Sequence, residues 1–412
     1  MNRLIFIPGK NPDLSLAELA SWYDSSGFYF RLAEMGDGFM AAEAEKAPDA
    51  NRLGGMIKVC SLLESFDKKP LQHPESIFEK IPVKFLPKGR LFGLSVYPDS
   101  GKNSSLFNHF ASSLKKNLKD CGINCKFFPV PKDRSALTHV EVINKKLEEI
   151  VVCLGKKIHI AKTISVHNPF EFQKRDVKRP QQRPMYSIPP RLARIMINLA
   201  QTPNSKTLLD PFCGIGSILQ EAALMDFEIF GSDLDGRCAY KAIQNLKWLS
   251  KQYCLKIPDI EEKIIMADAT RLSAQFQPKS MDMIVTEPHL GPPLKIHPDR
   301  NRAQRILRGL KPLYEKSLRE FSLILRPGGR VCIVFPRFEF GGHFAHLEAV
   351  KMAEKAGLRP VDVFRKTGLP GGLPYIDKEE RHKTIREIWV FEKPGGSKLM
   401  PKPPVDLALE KG

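Results

Sequence analysis

No CxxC pair occurs among the eight cysteines of this chain, at positions 60, 121, 125, 153, 213, 238, 254 and 332. Several lie in apolar, strand-like runs, such as Cys153 in "IVVCLG" and Cys332 in "RVCIVF". Buried free thiols in a reducing compartment account for them, so neither zinc nor disulfides are expected. No apolar run approaches the roughly 18 residues that a membrane span needs. "MNRLIFIPG" is too short for a signal peptide and no small-residue cleavage site follows it, which makes the cytoplasm the expected location. Internal repeats and long low-complexity tracts are also absent. Acid is in short supply: 46 Asp+Glu stand against 64 Lys+Arg, for a net charge of +18 and a pI near 9.5. Such an excess points to a polyanion partner, usually nucleic acid, or to a solvated basic surface that serves only solubility. A hydrophobic content of 42% is ordinary for a globular protein, and 412 residues suffice for two or three domains.

The chain divides by rhythm. Residues 1–85 open with a strand, "RLIFIPG", and a helix, "NPDLSLAELASWY", and form an α+β, ferredoxin-like N-terminal region by expectation. Residues 86–167 mix strands ("GRLFGLSVYP", "EIVVCLG", "KKIHIAKTISVH") with the amphipathic helix "LFNHFASSLKKNLKDCG", the pattern of a second small α+β module. A polar connector spans 168–190. Over 191–395 the rhythm becomes β-α-β-α, with helical patterns at 216–226, 237–252, 302–325 and 344–356 between short Val/Ile-rich strands. That pattern predicts an α/β fold with a doubly wound, mostly parallel sheet. "PVDVFRK" and "REIWVFEK", with no helix between them, predict an antiparallel edge hairpin. Residues 396–412 read as a disordered tail.

"LLDPFCGIGSILQEAAL" (208–224) has the form of a strand, a tight glycine turn and a helix. Gly214 and Gly216 allow close approach of a ligand, and Ser217 begins the helix. "GSDLD" places Asp233 about twenty residues further on, where a ribose hydroxyl would bind. Both features fit nicotinamide cofactors as well. Asp210 separates the two, because a carboxylate ahead of the glycines repels a pyrophosphate and attracts the ammonium group of S-adenosylmethionine. The third glycine of the dinucleotide fingerprint is also missing, with Leu219 in its place. Asp268 and Ala269, in "MADATRL", lie where an adenine amino group would be bound. Each Asp alone could be a cap or turn residue, but three acids ending three successive strands favour a ligand site for S-adenosylmethionine.

"DPFCGIGSILQEA" resembles the Asp-Pro-Phe-Cys-Gly-x-Gly stretch of THUMP-domain RNA methyltransferases, particularly tRNA guanine-N2 methyltransferases. "RPMYSIPPRLARIMINLA" (183–200) resembles the segment that the family carries just before it. "LTHVEVINKKLEEIVVCLGKKIHIAKTISVHNPFEFQKRD" resembles the end of a THUMP domain running into its linker. The resemblance covers roughly residues 90–395. It implies a Rossmann-like class I methyltransferase domain over 191–395, a THUMP-like RNA-binding domain over 86–167, a linker over 168–190, S-adenosylmethionine as cofactor and tRNA as partner. The Asp210, Pro211, Phe212, Gly214, Gly216 and Ser217 positions are the implied cofactor loop.

At "TEPHLGPPL" (286–294) the chain departs from that pattern. The family carries Asp-Pro-Pro-aromatic after its fourth strand, where the acid and a backbone carbonyl hold the N–H groups of a base amine and the aromatic stacks on the flipped base. The matching positions here are Glu287, Pro288, His289 and Leu290. The carboxylate survives with one more methylene, while Leu290 cannot stack and His289 or a distant aromatic is left for that role. A loop merely stiffened by Pro288, Pro292 and Pro293 is the structural alternative.

Within 156–183, eight cations, Lys156, Lys157, Lys162, Lys174, Arg175, Lys178, Arg179 and Arg183, face two acids and suit RNA phosphates. Phe170 and Phe172 between them suit base stacking or a core role. "RNRAQRILRGLKPLYEK" (300–316) adds basic charge after the catalytic loop, or a solvated helix face. His343 and His346 have HxxH spacing at an expected helix start but no third ligand nearby, so no metal is expected. The expected function is methylation of an exocyclic base amine in RNA, guanine N2 in tRNA. The alternatives are a DNA or rRNA amino-methyltransferase and a non-catalytic RNA-binding protein.

Overall fold

The computed structural model describes residues 1–67, 75–87, 91–100, 104–182, 187–364, 372–379 and 382–395. Arg183 and the 396–412 tail lie outside these residues. The first half comprises β1 (Asn2–Pro8), α1 (Pro12–Ser26), β2 (Phe30–Gly36), β3 (Phe39–Ala44), β4 (Met56–Phe66), α2 (Glu75–Glu79), β5 (Leu91–Tyr97), α3 (Ser104–Asp120), β6 (Lys126–Phe127), α4 (His139–Asn144), β7 (Glu148–Leu154) and β8 (Ile158–Val166). β1 reads as a continuous apolar run because it is covered on both faces. Leu4 and Phe6 pack on one side, Ile5 and Ile7 on the other. α1 begins at Asn11, whose side chain accepts the Leu14 amide, and ends at Gly27 in the left-handed conformation.

These strands form one sheet, in the order β2-β3-β1-β4-β8-β7-β5-β6. The expected boundary near residue 85 is therefore not a break in the structure. β4 of the first module pairs antiparallel with β8 of the second along Lys58–Phe66, which removes two edges that would otherwise expose unpaired backbone groups. Lys58 crosses this join to the buried Glu149 on β7, and also donates to the Leu137 carbonyl at 2.8 Å.

The expected linker contains α5 (Pro169–Val177) and leads to α6 (Pro190–Ala200). After it come β9 (Thr207–Asp210), α7 (Ser217–Ala223), β10 (Glu228–Asp233), α8 (Gly236–Tyr253), α9 (Ile260–Lys263), β11 (Ile264–Met266), β12 (Met281–Thr286), α10 (Arg300–Ile324), β13 (Leu325–Phe340), β14 (His343–His346), α11 (Ala349–Lys355), β15 (Arg359–Pro360), β16 (Tyr375–Asp377) and β17 (Thr384–Glu392). The second sheet has the order β11-β10-β9-β12-β13-β17-β15, and its first five strands are parallel. Period-two alternation covers both faces: Leu208, Met283, Val285, Cys332 and Val334 face α6–α8, while Leu209, Ile284, Val331, Ile333 and Phe335 face α10 and α11.

The expected edge hairpin is corrected in detail. β17 is antiparallel but interior, between β13 and β15, and β15 keeps only two residues because Val363 and Phe364 turn into the core. β14 replaces the expected helix start at 344, since His343 and His346 pair with Phe340 and Arg337 of β13.

The two halves share one hydrophobic cluster that runs from Leu4, Phe6 and Leu19 through Leu192 and Met196 to Leu219 and Val285. A polar seam crosses it. Glu18, fully buried on α1, accepts the Gly54 and Gly55 amides and the Asn198 side-chain amide, each at 2.7 Å. Arg191 donates to the Gly54 carbonyl at 2.7 Å, and a Cβ on Gly54 would lie 2.1 Å from the Arg191 carbonyl oxygen. Among the described residues, no helix is long and apolar enough to cross a membrane.

Candidate active site

Asp210 closes β9, Asp233 closes β10 and Asp268 follows β11, on the carboxyl edge where open α/β sheets bind ligands. Asp210 is 2% exposed, and its Oδ1 accepts the Thr286 hydroxyl at 2.7 Å and the Phe212 amide at 3.1 Å. Burial pushes its carboxyl up to about 7; Asp233 and Glu287 push the same way, against those two bonds. Its Oδ2 has no hydrogen-bond partner among the described residues. What this buried acid lacks is a cation.

Asp233 fastens the turn to the second strand by accepting the Gly214 amide on Oδ2 and the Asp235 amide on Oδ1, both at 2.9 Å. Gly214 has φ +53°, and a Cβ there would meet nothing within 4 Å, so open space lies against the turn. Asp268 Oδ1 accepts the Thr270 amide and hydroxyl, bonds that hold its carboxyl below the usual range. The adjoining Ala269 is buried. Asp282, at the opposite end of β12, is a useful contrast. It accepts from the Lys206 and Thr207 amides, the Thr207 hydroxyl and Arg326, a purely structural set.

Other positions of the expected loop are internal. Pro211 is buried and Phe212 packs toward α10. The Ser217 hydroxyl is held by Arg179 at 2.7 Å and lies 3.0 Å from the Ser187 hydroxyl. Cys213 is buried with its thiol pushed well up by burial, which suits packing. A buried carboxylate without a cation at Asp210, an open glycine turn and acids at the ends of the next two strands suit S-adenosylmethionine.

Glu287 begins the loop after β12. Its Oε1 accepts the Arg386 Nε at 2.6 Å, from β17. Arg386, 8% exposed, also reaches Asp377 at 3.3 Å and lies 3.8 Å from Glu379. Burial alone would depress Arg386, but Glu287, Asp377 and Glu379 outweigh it and raise its pKa. The Glu287 Oε2 has no hydrogen-bond partner among the described residues. Pro288 is buried and His289 exposed. Below them the buried Tyr314 hydroxyl lies 3.3 Å from the His289 and Val334 carbonyl oxygens, and its one proton serves one at a time. Leu290 is half-buried and packs against the hydrophobic cluster shared by the two halves. Arg386, Thr286 and Tyr314 were missed, since nothing in their local sequence marks them.

The basic linker is partly corrected too. Arg175 is 4% exposed and paired with Glu221 of α7, which also accepts from Arg194 at 2.7 Å; Phe172 lies buried beneath both guanidiniums. Arg179 is 3% exposed. These two hold the linker against α7 and present no charge to solvent. Lys156, Lys157 and Lys178 are exposed, Lys162 pairs with Glu148, and Lys174 lies over the Tyr253 ring. Phe170 is 42% exposed. Among the described residues, no group of three His, Cys, Asp or Glu side chains is placed to hold a metal.

Residues 178–358 match the family described as RMKL-like, methyltransferase domain. Over 217 residues the chain is 30% identical to a tRNA (guanine(10)-N2)-dimethyltransferase of Pyrococcus abyssi, and this covers 52% of the chain and 56% of that relative. Over 350 residues it is 25% identical to the protein of that name from Methanothermobacter thermautotrophicus, covering 82% of the chain and 90% of the relative. The chain thus spans about half the length of the first curated relative and most of the second. Among solved structures, TrmN from Thermus thermophilus superposes with a TM-score of 0.53 at 18% identity, covering 95% of this chain and 99% of that one, a likeness of fold.

Proposed function

We propose that the protein transfers a methyl group from S-adenosylmethionine to the exocyclic amine of a base in RNA, and specifically to guanine N2 in tRNA at position 10, the position in its relatives' names. One juxtaposition carries this reading. Thr286 holds Asp210, the carboxylate poised for a cation, and the next residue, Glu287, is a second carboxylate close enough to raise the first one's pKa. Donor ammonium and acceptor amine are thereby served by adjacent acids with separate duties.

Bound S-adenosylmethionine supplies an electrophilic methyl group. Asp210 would hold its ammonium, Asp233 its ribose hydroxyls and Asp268 its adenine amine. A guanine amine is a weak nucleophile because its lone pair is delocalised into the ring. Glu287 Oε2 and the Pro288 carbonyl can accept its two N–H groups and turn the lone pair toward the methyl, a gain in orientation and electrostatics. Arg386 fixes the Glu287 carboxylate in place by one oxygen, which leaves the other for the base. Label transfer from methyl-labelled S-adenosylmethionine to unfractionated tRNA, rRNA and DNA tests the substrate class. Labelling of tRNA supports the reading; labelling of DNA alone overturns it.

A further inference from the structure

Beyond the carboxyl edge, β13 continues past its pairing with β12 and turns back as β14, forming a hairpin that stands opposite the start of α10. An open groove of about 1170 Å³ lies between them. Its cations are Arg300, Arg308 and Lys311, all exposed and spaced along one side of α10. Two acids also line it, and both are engaged locally. Asp299 caps α10 by accepting the Arg302 amide at 2.8 Å, and Glu348 pairs with Lys351. Lys311 lies 3.9 Å from Glu315 and near enough to Glu348 to help Lys351 lower its pKa, so it is the most compensated of the three. On the hairpin side Phe344 is 45% exposed, with the Arg337 guanidinium 3.9 Å from its ring centroid.

The groove adjoins the catalytic loop. A Cβ on Gly291, four residues after Glu287, would lie 2.8 Å from Ile306 of α10 and 3.8 Å from Phe338 of β13. Gly291 thus packs against α10 and β13, the two elements that border the groove, through other residues of each, and the loop itself runs on to Asp299, which lines the groove. Positive charge along a channel, an exposed aromatic and a border shared with the loop that begins at Glu287 together suit a nucleic-acid strand. We propose that this groove holds the single-stranded RNA flanking the target nucleotide, with phosphates against Arg300, Arg308 and Lys311 and a neighbouring base stacked on Phe344. Phosphate contacts of this kind fix register without reading sequence, and stacking on an aromatic tolerates any base. Phe344 would then give the bound strand an aromatic platform, which Leu290 cannot.

This assignment rests on the proposed RNA methylation. The test measures the affinity of unfractionated tRNA and the kcat/KM for methyl transfer, in wild type, in the triple variant R300A/R308A/K311A and in F344A. S-adenosylmethionine binding serves as the control for folding. Each variant is expected to lose about tenfold in tRNA affinity and in kcat/KM, with cofactor affinity unchanged. The triple variant is also expected to show a shallower dependence of affinity on salt, by roughly 0.7 in log–log slope for each phosphate no longer neutralised. If wild type methylates tRNA and the variants match it in affinity and salt slope, the groove assignment is wrong while the activity stands. If wild type methylates no RNA, the underlying activity falls, and the groove assignment with it.

Discussion

At the scale of single residues, the site is an arrangement of carboxylates with different neighbours and therefore different tasks. Glu287 is expected to matter for chemistry and not for cofactor binding. Glu287→Gln should lower kcat by about 100-fold or more, the usual weight of a preorganised contact to the reacting group, with S-adenosylmethionine affinity unchanged. Asp210 should show itself in pH dependence. Its folded-state pKa is raised to about 7, so the apo protein is most stable below the ordinary carboxyl range and loses that advantage as pH rises through 7. The span from 3.8 to about 7 corresponds to at most about 4 kcal/mol. A cationic ligand reverses the sign, because it binds the ionised form and releases a proton. The apo Tm should therefore fall between about pH 4 and 7 and level off above, less so in Asp210→Asn, while S-adenosylmethionine affinity should rise over the same interval. Calorimetry in buffers of different ionisation enthalpy should detect the released proton; its absence near pH 7 would contradict the assignment. Arg386→Met leaves the half-buried Glu287 and Asp377 without their guanidinium, a loss of up to about 3 kcal/mol read as a lowered unfolding midpoint in urea.

At the scale of elements, the two halves of the chain are held by α1 against α6 and by α5 against α7. Glu18→Ala removes one acceptor from three buried donors, at roughly 1–3 kcal/mol for each left unsatisfied, and should lower Tm far more than Glu45→Ala in an otherwise matched thermal melt. The cofactor turn was legible in the sequence because its signals are local: "LLDPFCGIGS" holds the strand, the turn and the helix start within ten residues, and Asp233 and Asp268 end recognisable apolar runs. The alternation of Leu208 with Leu209 and of Ile333 with Val334 likewise announced a sheet covered on both faces. The joined eight-stranded sheet was not legible, because the β4–β8 pairing links residues about a hundred positions apart and leaves no periodic trace. Arg386 was hidden for the same reason, 99 residues from the carboxylate it holds. Arg175 and Arg179 misled for another: composition counts a cation whether it faces solvent or a buried Glu221.

At the scale of the whole molecule, a net charge of +18 remains after the buried pairs cancel, and it should govern encounter with a polyanion. The affinity for tRNA should fall steeply between about 50 and 200 mM salt, while S-adenosylmethionine affinity hardly changes. The proposed function turns on something narrower than charge and fold, that adjacent acids at Asp210 and Glu287 place a methyl donor against a guanine amine. Its most direct test is to incubate the protein with S-adenosylmethionine and tRNA lacking that methylation, digest the RNA to nucleosides and identify the new one by mass spectrometry. The account predicts N2-methylguanosine or its dimethyl form, absent with Glu287→Ala; a methylated adenosine, or an undiminished yield in that variant, would contradict it.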